Sequence, residues 1–581
     1  MKKKIIRMMG VGLASLTVMS SAMPVLAAPP AEGDSNSITV QGVAKTDTSA
    51  VVTIYRVVEP VYGKNGLVNY KTVGGVEIAD IEKPTSSEVA KAVSAILANP
   101  ENFPTSYQLE RNSDGEFVKD SVAPGEYIAI VSGTNTTVYN PAVVSVNYTD
   151  ANDGTSTTAG SVNLGTVFAY GDVAYMKSST PSIDKNIVVD GVLVKGDTVD
   201  AGGSNTTAAD EITFQIDSQL PSYQMSEVDG AKAVYRNPVY KISDKLDTTF
   251  ANITEIHVMN ASDVDLVPEQ DYTIEGGVGQ TSFTVQFTEE YLLNHGNEKV
   301  KITYKTALND TGDNNNYAEN LNVAKLEYSN DPTDVDSIKT FKAKTYHYTF
   351  AIDGIIDGQT VTDGGTYNTT SGLVESHEVN KVGQATRDIT TEWQEKVKTG
   401  DITTYSSNYA LAGAEFTLYS DAELTNAIAV STSDDYGHIP YTGLDEGTYY
   451  MKETKAPAGW TLNDNIYKID IAATLDEEGV LESYTVTTAV STDEGENYSA
   501  AGSISYNNTK SVNTTVDDAA YGRVVNTIVT ENDVPVEIVD TKLSELPSTG
   551  SIGTTIFSVV GITMFCGFAG LGLAARRKKE D

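Results

Sequence analysis

The chain has 581 residues, a formal net charge of −39 and a single cysteine, Cys566. Its excess of negative charge repels the phosphates of nucleic acids, so we expect no nucleic-acid partner. One cysteine cannot form a disulfide within the chain, and the five histidines are too scattered to supply paired metal ligands, so we expect no metal site and no cofactor. The length is sufficient for three or four domains, each with its own core.

The N-terminus has the pattern of a secretory signal peptide. Basic residues precede a largely apolar stretch at 5–23, and small residues follow at Ala27 and Ala28. We therefore expect residues 1–28 to be removed on export. An uncleaved N-terminal anchor is the alternative, but the apolar stretch is short for a membrane span.

The body of the chain predicts β structure with one helix. Short runs rich in Thr, Val, Ile and Tyr alternate with clusters of Gly, Asn and Asp, which is typical of β-sandwiches. The clearest runs are Val51–Tyr55, Tyr127–Val131, Phe283–Phe287, Lys299–Tyr304 and Glu415–Tyr419. An apolar stripe from Ser86 to about Ala98, behind a cap at Thr85 or Ser86, predicts a helix packed on the first domain. We expect an all-β fold of tandem immunoglobulin-like β-sandwich domains.

Restarts of this pattern divide the exported part of the chain into three units. The predicted boundaries are 29–174, 175–370 and 371–545. Because no Pro-rich or Ser-rich spacer separates the units, we expect a fairly stiff rod.

Three segments follow one another at the C-terminus: the pentapeptide LPSTG at 546–550, an uncharged apolar run at 552–575 and a basic tail at 576–581. The apolar run is long enough to cross a membrane as a helix, and the positive tail belongs on the cytoplasmic side. Together the segments resemble a sortase cell-wall sorting signal. The resemblance implies that a sortase transpeptidase cuts between Thr549 and Gly550 and joins the threonine to an amine, so that the membrane helix is a temporary hold and the protein stays covalently attached at the cell surface. A permanent single-span anchor is the alternative.

The third unit contains the segment YYMKETKAPAGW at 449–460. It resembles the E-box of the collagen-adhesin B-type domains found in sortase-assembled pilins, which close with an internal isopeptide bond between a lysine and an Asn or Asp. The resemblance implies that Lys381 is the amine, Glu453 the acid that assists the reaction and Asp540 the acceptor. Asn526, one strand earlier, is the alternative acceptor.

This bond chemistry requires burial. A lysine amine is a nucleophile only when it is neutral, and burial disfavours the charged form. Burial also keeps a neighbouring carboxylic acid protonated, so that the acid can polarise the acceptor carbonyl and shuttle protons while water or ammonia leaves. We therefore expect the lysine, the acid and the acceptor of each domain to meet inside its core.

The second unit contains three segments that resemble the signature strands of the A-type isopeptide domain in backbone pilins. They are PSIDKNI at 181–187, YKISDKL at 240–246 and LEYSNDP at 326–332. The resemblance implies that Lys185 is the amine, Asp244 the assisting acid and Asn330 the acceptor. The first unit resembles the N-terminal domain of such pilins and shows no comparable set.

The segment VAYMK at 173–177 lies where that family has its pilin motif. In the family, the lysine of this motif receives the threonine of the next subunit's sorting signal. The motif's proline before the lysine and its upstream tryptophan are absent from this chain. Lys177 is the predicted linkage lysine, and the alternative is a solvated lysine between two domains.

Three functions compete to explain these features. The favoured one is a structural subunit of a covalently polymerised cell-surface pilus, with a sortase, identical pilin subunits, minor pilins and peptidoglycan as partners. The second is a monomeric wall-anchored adhesin or minor pilin, whose host-surface ligand the sequence does not identify. The third, an enzyme, is not expected, because the sequence lacks a recognisable catalytic triad, metal-ligand set or phosphate-binding loop, and internal bond formation happens once per chain.

Overall fold

The computed structural model describes residues 33, 35–64, 66–81, 83–134, 136–146, 171–201, 209–223, 238–309, 317–331, 333–334, 336–354, 378–384, 409–434, 437–513, 523–534 and 536–542. The predicted signal peptide, sorting pentapeptide, apolar run and basic tail lie outside these residues. Within them, no helix is long and apolar enough to cross a membrane. The five predicted runs all lie in strands, and the predicted all-β fold is confirmed.

The first unit consists of small sheets with one long helix. Its strands are β1 Asn36–Gln41, β2 Val51–Gly63, β3 Gly66–Thr72, β4 Ser106–Gln108, β5 Glu110–Arg111, β6 Phe117–Val122, β7 Gly125–Ser132, β8 Val138–Asn140, β9 Ala142–Val146, β10 Val173–Tyr175 and β11 Lys177–Ser179. One sheet has the order β10-β1-β6-β5, a second has the order β3-β2-β7-β9 with β4 also on β2, and β8 pairs with β11. Because β10 and β11 pair with strands of this unit, it extends past the predicted boundary at 174.

The helix α1 spans Ser86–Ala98, as its apolar stripe predicts, and is followed by a 3-10 turn at Pro100–Asn102. Thr85 caps it: the backbone N–H of Glu88 donates to the Thr85 hydroxyl, and the backbone N–H of Thr85 donates to the Glu88 carboxylate at 2.7 Å. This reciprocal arrangement satisfies N–H groups that a helix start leaves free. The stripe, including Val89, Val93 and Ile96, is buried in the core.

The second unit is a sandwich of two sheets. Its elements are β12 Ser182–Val189, β13 Val192–Val194, β14 Gly196–Thr198, β15 Ile212–Gln219, β16 Tyr240–Lys245, β17 Glu255–Asn260, β18 Tyr272–Gly276, β19 Ser282–Phe287, α2 Glu289–Asn294, β20 Lys299–Thr306, β21 Tyr317–Ser329 and β22 Ile338–Ile352. One sheet has the order β13-β12-β15-β20-β17, and the other has the order β14-β22-β21-β16-β19-β18. Inward-facing residues of both sheets alternate with exposed ones, so that the core lies between the sheets.

The third unit also has two sheets. Its strands are β23 Val379–Gly383, β24 Tyr409–Ala410, β25 Glu415–Tyr419, β26 Ala427–Thr432, β27 Tyr441–Leu444, β28 Gly447–Lys455, β29 Ile466–Leu475, β30 Leu481–Ser491, β31 Ser499–Asn513, β32 Arg523–Val534 and β33 Val536–Asp540. The small sheet has the order β24-β23-β33, and the large sheet has the order β26-β25-β28-β29-β30-β31-β32. The first strand, β23, therefore lies beside the last strand, β33, and the two run parallel.

The second and third units share backbone contacts. Strand β22 continues from the second unit and pairs with β27 of the third, with Phe350 opposite Leu444. Gly196 and Gly479 approach each other so closely that a Cβ on Gly196 would lie 2.2 Å from the Gly479 carbonyl oxygen. Only glycine fits such a backbone-to-backbone contact, so both positions of this junction require glycine.

Candidate functional sites: two buried lysine–carboxyl clusters

The first cluster lies in the third unit, where three strands bring Lys381, Glu453 and Asp540 together. Lys381 is on β23, and Asp540 ends the neighbouring parallel strand β33. Asp540 is opposite Gly383 of β23. Glu453 comes from β28 of the facing sheet. All three point into the core from strands that are otherwise apolar on that side, because alternation along a strand directs every second side chain inward.

The three side chains form one hydrogen-bonded group with no exposed surface. Lys381 Nζ donates to Glu453 Oε2 at 3.0 Å and to Asp540 Oδ1. The same Nζ lies 5.4 Å from the centre of the Phe416 ring. The amine is thus in contact with the predicted assisting acid and with the predicted acceptor.

Burial controls the protonation of the two acids. It raises the pKa of Glu453 to about 7, although the adjacent Lys381 acts in the opposite direction. It also raises the pKa of Asp540 above its usual range. Glu453 can therefore carry a proton at neutral pH, and Asp540 is more readily protonated than an ordinary aspartate. A neutral carboxylic acid is a far better target for an amine than a carboxylate.

The E-box segment and the residues directly after it contact this cluster. The Asn463 backbone N–H donates to Glu453 Oε2 at 3.0 Å, and the Asn463 side-chain amide donates to the Val539 carbonyl at 3.2 Å. The Trp460 ring packs on Gly383, where a Cβ would lie 2.5 Å from a ring carbon. The loop after Glu453 therefore orients the acid and covers the end of the last strand.

The alternative acceptor, Asn526, lies on a different sheet from Lys381. Its strand, β32, pairs with β31 at the edge of the large sheet, and Asn526 is opposite Lys510. The Asn526 side chain lies outside the described side chains. Of the two candidates, Asp540 is the one that the structure places on the Lys381 amine.

The second cluster lies between the two sheets of the second unit. Lys185 on β12 comes from one sheet, and Asp244 on β16 comes from the other. Lys185 Nζ donates to Asp244 Oδ2 and to the Tyr304 hydroxyl, the latter at 2.9 Å. Neither Lys185 nor Asp244 has significant exposed side-chain surface.

Burial shifts the pKa of both groups toward their neutral forms. It lowers the pKa of Lys185 to about 8, against the attraction of Asp244. It raises the pKa of Asp244 above its usual range, against the attraction of Lys185. In both groups burial thus favours the neutral form and opposes the mutual attraction that favours the charged pair.

The predicted acceptor Asn330 is not at this cluster. Its side-chain amide donates to the carbonyl oxygen and hydroxyl of Thr134 in the first unit, at 3.0 and 2.7 Å, and the Ser337 hydroxyl donates to its Oδ1 at 2.9 Å. The strand register explains this, because Tyr240 is opposite Tyr328 whereas Asp244 is opposite Ala324. Asn330 therefore lies past the Tyr240 end of β16, whereas Asp244 is near the other end of that strand.

The amide that the structure does place at the cluster belongs to Asn322. Its Nδ2 donates to the Tyr304 hydroxyl at 2.6 Å, and the same hydroxyl contacts Lys185 and Asp244. Asn322 is fully buried, and its Oδ1 accepts no hydrogen bond among the described residues. The sequence carried a partial signal for it: the inward-facing series Asn320, Asn322, Ala324, Leu326 and Tyr328 begins with two polar residues and continues with apolar ones.

Lys177 lies on the surface where the first and second units meet. It begins β11 and is opposite Asn140 of β8. Its side chain is exposed, as is Tyr175, whereas Met176 between them is buried. The strand thus fixes the backbone of Lys177 and leaves its amine in solvent.

No group of three or more His, Cys, Asp or Glu side chains in the described part of the chain is arranged to hold a metal ion.

Three family models match the chain. The T6 antigen Ig-like domain matches residues 33–178, the SpaA prealbumin-like fold domain matches 398–488, and the LPXTG cell wall anchor motif matches 538–581. The trypsin-resistant surface T6 protein of Streptococcus pyogenes serotype M6 is 26% identical over 563 residues, which cover 91% of this chain and 93% of that protein. The solved T6 backbone pilin of serotype M6 S. pyogenes superposes with a TM-score of 0.51 at 18% identity, covering 89% of this chain and 100% of that one.

These similarities first define a class: a surface protein that a sortase attaches covalently to the cell wall and that is built from tandem β-sandwich units. Within that class the similarities support a sortase-assembled backbone pilin, a structural subunit that polymerises with other pilin subunits and is attached to peptidoglycan. The predicted family, function and surface location are confirmed, and the alternative of a monomeric adhesin is not favoured.

Proposed function

We propose that this pilin is a load-bearing shaft subunit whose second and third units each close by an internal amide bond, and whose Lys177 accepts Thr549 of another copy. The observation that carries the proposal is the contact of the fully buried Lys381 amine with both Glu453 and Asp540. A buried ion pair gains little net stability, because desolvation offsets the attraction of the charges. A covalent bond between these side chains would stabilise the unit, which an ion pair at this site does not.

In the third unit, the neutral Lys381 amine attacks the carboxyl carbon of Asp540. A nitrogen–carbon bond forms, the carbon–hydroxyl bond breaks and one water leaves. Glu453 touches the amine and is positioned to receive its surplus proton while donating its own to the departing oxygen. In the second unit, Lys185 attacks the side-chain carbonyl carbon of Asn322 in the same way, and ammonia leaves.

Each reaction occurs once in the life of a chain, so we infer that the protein is a substrate of the sortase rather than an enzyme with turnover. Minor pilins that carry the same sorting signal would join through the same lysine, because a sortase presents only the acyl group of the threonine to the incoming amine. The exposure of Lys177 on a strand with a fixed backbone supports this role.

Intact-mass spectrometry of the exported chain tests the internal bonds. We expect a mass lower than calculated by about 18 Da for the water lost at Lys381–Asp540 and by about 17 Da for the ammonia lost at Lys185–Asn322. The Asp540→Ala and Asn322→Ala variants should each lose one of these deficits, whereas Asn330→Ala should keep both. Tandem fragmentation identifies the cross-linked peptides. A cross-link to Asn526 or Asn330 would contradict these assignments, and an unshifted mass would contradict the bonds themselves.

The linkage role of Lys177 is tested in cells by the ladder of high-mass species that covalent pili give on a denaturing gel. Lys177→Ala should abolish the ladder, because no other amine of this strand is exposed for the sortase to use. The matched control is Lys83→Ala, which removes another exposed lysine of the first unit. A ladder that persists in Lys177→Ala would assign the linkage to a different lysine.

A further inference from the structure

The hydroxyl of Tyr304 is the point at which all three groups of the second cluster meet. It accepts a hydrogen bond from Lys185 Nζ at 2.9 Å, donates to Asp244 Oδ2 at 3.0 Å and accepts from Asn322 Nδ2 at 2.6 Å. No hydrogen bond joins Asp244 directly to Asn322 within the described structure. The tyrosine is therefore the hydrogen-bonded connection between the acid and the acceptor amide.

We propose that Tyr304 is a catalytic residue of bond formation in the second unit, which passes a proton from Asp244 to the nitrogen that leaves Asn322. The inference rests on the proposed Lys185–Asn322 bond. It distinguishes the two clusters chemically, because in the third unit the lysine amine is hydrogen-bonded directly to the acceptor Asp540, whereas in the second unit the acceptor Asn322 is hydrogen-bonded to Tyr304.

The step balances as follows. The neutral amine of Lys185 attacks the side-chain carbonyl carbon of Asn322, and the bond from that carbon to Nδ2 breaks. The hydroxyl proton of Tyr304 moves to the departing nitrogen, which leaves as ammonia. Tyr304 regains a proton from Asp244, and Asp244 takes the surplus proton of the attacking nitrogen. The products are one amide and one ammonia, with Tyr304 and Asp244 unchanged.

The surroundings hold the hydroxyl in place. Tyr304 lies on β20, the strand between β15 and β17, and its ring stacks on Phe214 with the ring centres 4.9 Å apart. Phe283 of the opposite sheet meets the same ring edge-on at 5.1 Å. A ring fixed from two sides loses little entropy when its hydroxyl enters the reaction, and such positioning is a large part of catalysis.

Burial also sets the direction of proton flow. It raises the pKa of Asp244, which favours the protonated acid, and it lowers the pKa of Lys185 to about 8, so that the amine is neutral in a useful fraction of molecules. The pKa of Tyr304 is raised well above its usual value, mainly by burial. The tyrosine therefore does not persist as a phenolate and works only as a relay.

The test is the rate of bond formation in Tyr304→Phe, which removes one oxygen and keeps the ring. Samples of the exported chain are taken at intervals after a short pulse of expression, and the ammonia deficit of about 17 Da is measured by intact mass. We expect the rate to fall at least about a hundredfold, the lower end of what general acid–base catalysis contributes. The matched control is Tyr240→Phe, which removes a buried hydroxyl of the same unit that binds Ser218 and Gln219 instead.

A second mass deficit and a second variant distinguish the possible outcomes. The water deficit of the third unit, read in the same spectrum, reports that the third unit has folded. A fluorinated tyrosine at position 304 restores the hydroxyl, and it should restore the bond. A wild-type rate in Tyr304→Phe, or equal slow rates in the phenylalanine and fluorotyrosine variants, would overturn the role of Tyr304. A wild-type chain without the ammonia deficit would instead overturn the Lys185–Asn322 bond, and the tyrosine's role with it.

Discussion

Glu126 is a single carboxyl group that the first unit buries without compensation. It lies on β7 with no exposed surface, and neither of its side-chain oxygens has a hydrogen-bond partner among the described residues. Burial raises its pKa to about 8, and the nearby Asp80 and Glu88 act in the same direction. The native state therefore holds this proton more tightly than the unfolded chain does.

This residue should make the first unit less stable as the pH rises. Because the carboxyl pKa is higher in the folded state, the group does not affect stability below its unfolded pKa of 4.5. Between pH 4.5 and about 8 the stability falls as the pH rises, and above about 8 it is constant. Glu126→Gln cannot ionise, so we expect it to remove this slope and to add about 2–4 kcal/mol to the free energy of unfolding above pH 8.

Hydrogen exchange of β7 at several pH values, corrected for the intrinsic exchange rate, measures this effect. The matched control is Glu101→Gln, which changes an exposed carboxyl of the same unit. A wild-type slope that persists in Glu126→Gln would assign the pH dependence to another group.

The residues of the two clusters show which part of a site sequence reasoning can reach. Lys185, Asp244, Lys381, Glu453 and Asp540 were predicted from local motifs, and the structure brings the first two together and the last three together. Local motifs suffice for such residues because each one is fixed by its own strand.

The choice between Asn322 and Asn330 is a different problem. Both lie on one strand or directly after it, and an even spacing puts both on the same face. Only the register of β21 against β16 decides which amide is level with Asp244. The sequence does not predict a role for Tyr304 for a related reason. In the alternating run Val300, Ile302 and Tyr304 it has the pattern of an ordinary core residue.

At the scale of elements, the segment that follows β21 has a role other than the predicted one. The Tyr328 hydroxyl donates to the Thr136 carbonyl, Asn330 donates to Thr134, and the Gly133 backbone N–H donates to Asp331 at 2.6 Å. These bonds fasten the loop before β8 to the second unit. Because β8 pairs with β11, the same contacts fix the strand that carries Lys177.

Asn330→Ala should loosen this junction without changing the internal bonds. Removing the amide leaves the Thr134 groups without their donor, which costs about 1–3 kcal/mol for a buried site. We expect hydrogen exchange in β8 and β11 to rise by about tenfold or more, because 1.4 kcal/mol corresponds to a factor of ten. Asn252→Ala, an exposed site of the second unit, is the control. Unchanged exchange in both strands would contradict a fastening role.

Element prediction from the sequence succeeded where the pattern was long and failed where it was short. The helix α1 has a capping signal and an apolar stripe over several turns, and its bounds match the prediction. The helix α2 spans only Glu289–Asn294 and was not predicted, because so few residues cannot show a helical period. The boundary at 174 fell inside β10 because strands 173–175 and 177–179 pair with distant parts of the first unit.

For the whole molecule, the positions of Lys177 and Thr549 define the path of mechanical tension in a pilus. Under the proposed linkage, tension enters a subunit at Lys177 and leaves it at Thr549. Apart from β11, which carries Lys177, the strands and the helix of the first unit precede this path in the chain or lie beside it, so that under the proposed linkage this unit can tolerate a destabilising Glu126. The proposed Lys185–Asn322 bond would bypass residues 186–321, and the proposed Lys381–Asp540 bond would bypass residues 382–539.

The longest remaining loaded segment, between Asn322 and Lys381, contains the hairpin of β21 and β22. Asn322 is pulled toward the first unit through Lys185, and β22 is pulled toward the third unit with which it pairs. Their antiparallel ladder runs from Asn322 opposite Thr345 to Ser329 opposite Ile338. Both points of load therefore lie at the end of this ladder away from its turn, so that its hydrogen bonds are loaded from that end first.

Single-molecule stretching between handles at position 177 and at the end of the third unit tests this path. The wild-type protein should show no unfolding step from either bonded unit. Asp540→Ala should release the chain that its bond had bypassed, with a gain on the order of 500 Å, and Asn322→Ala should release on the order of 400 Å, at about 3.5 Å per extended residue. Because the first unit is not loaded, Glu126→Gln should leave every trace unchanged. Steps of these lengths in the wild type would show that tension reaches chain which the two bonds were inferred to protect.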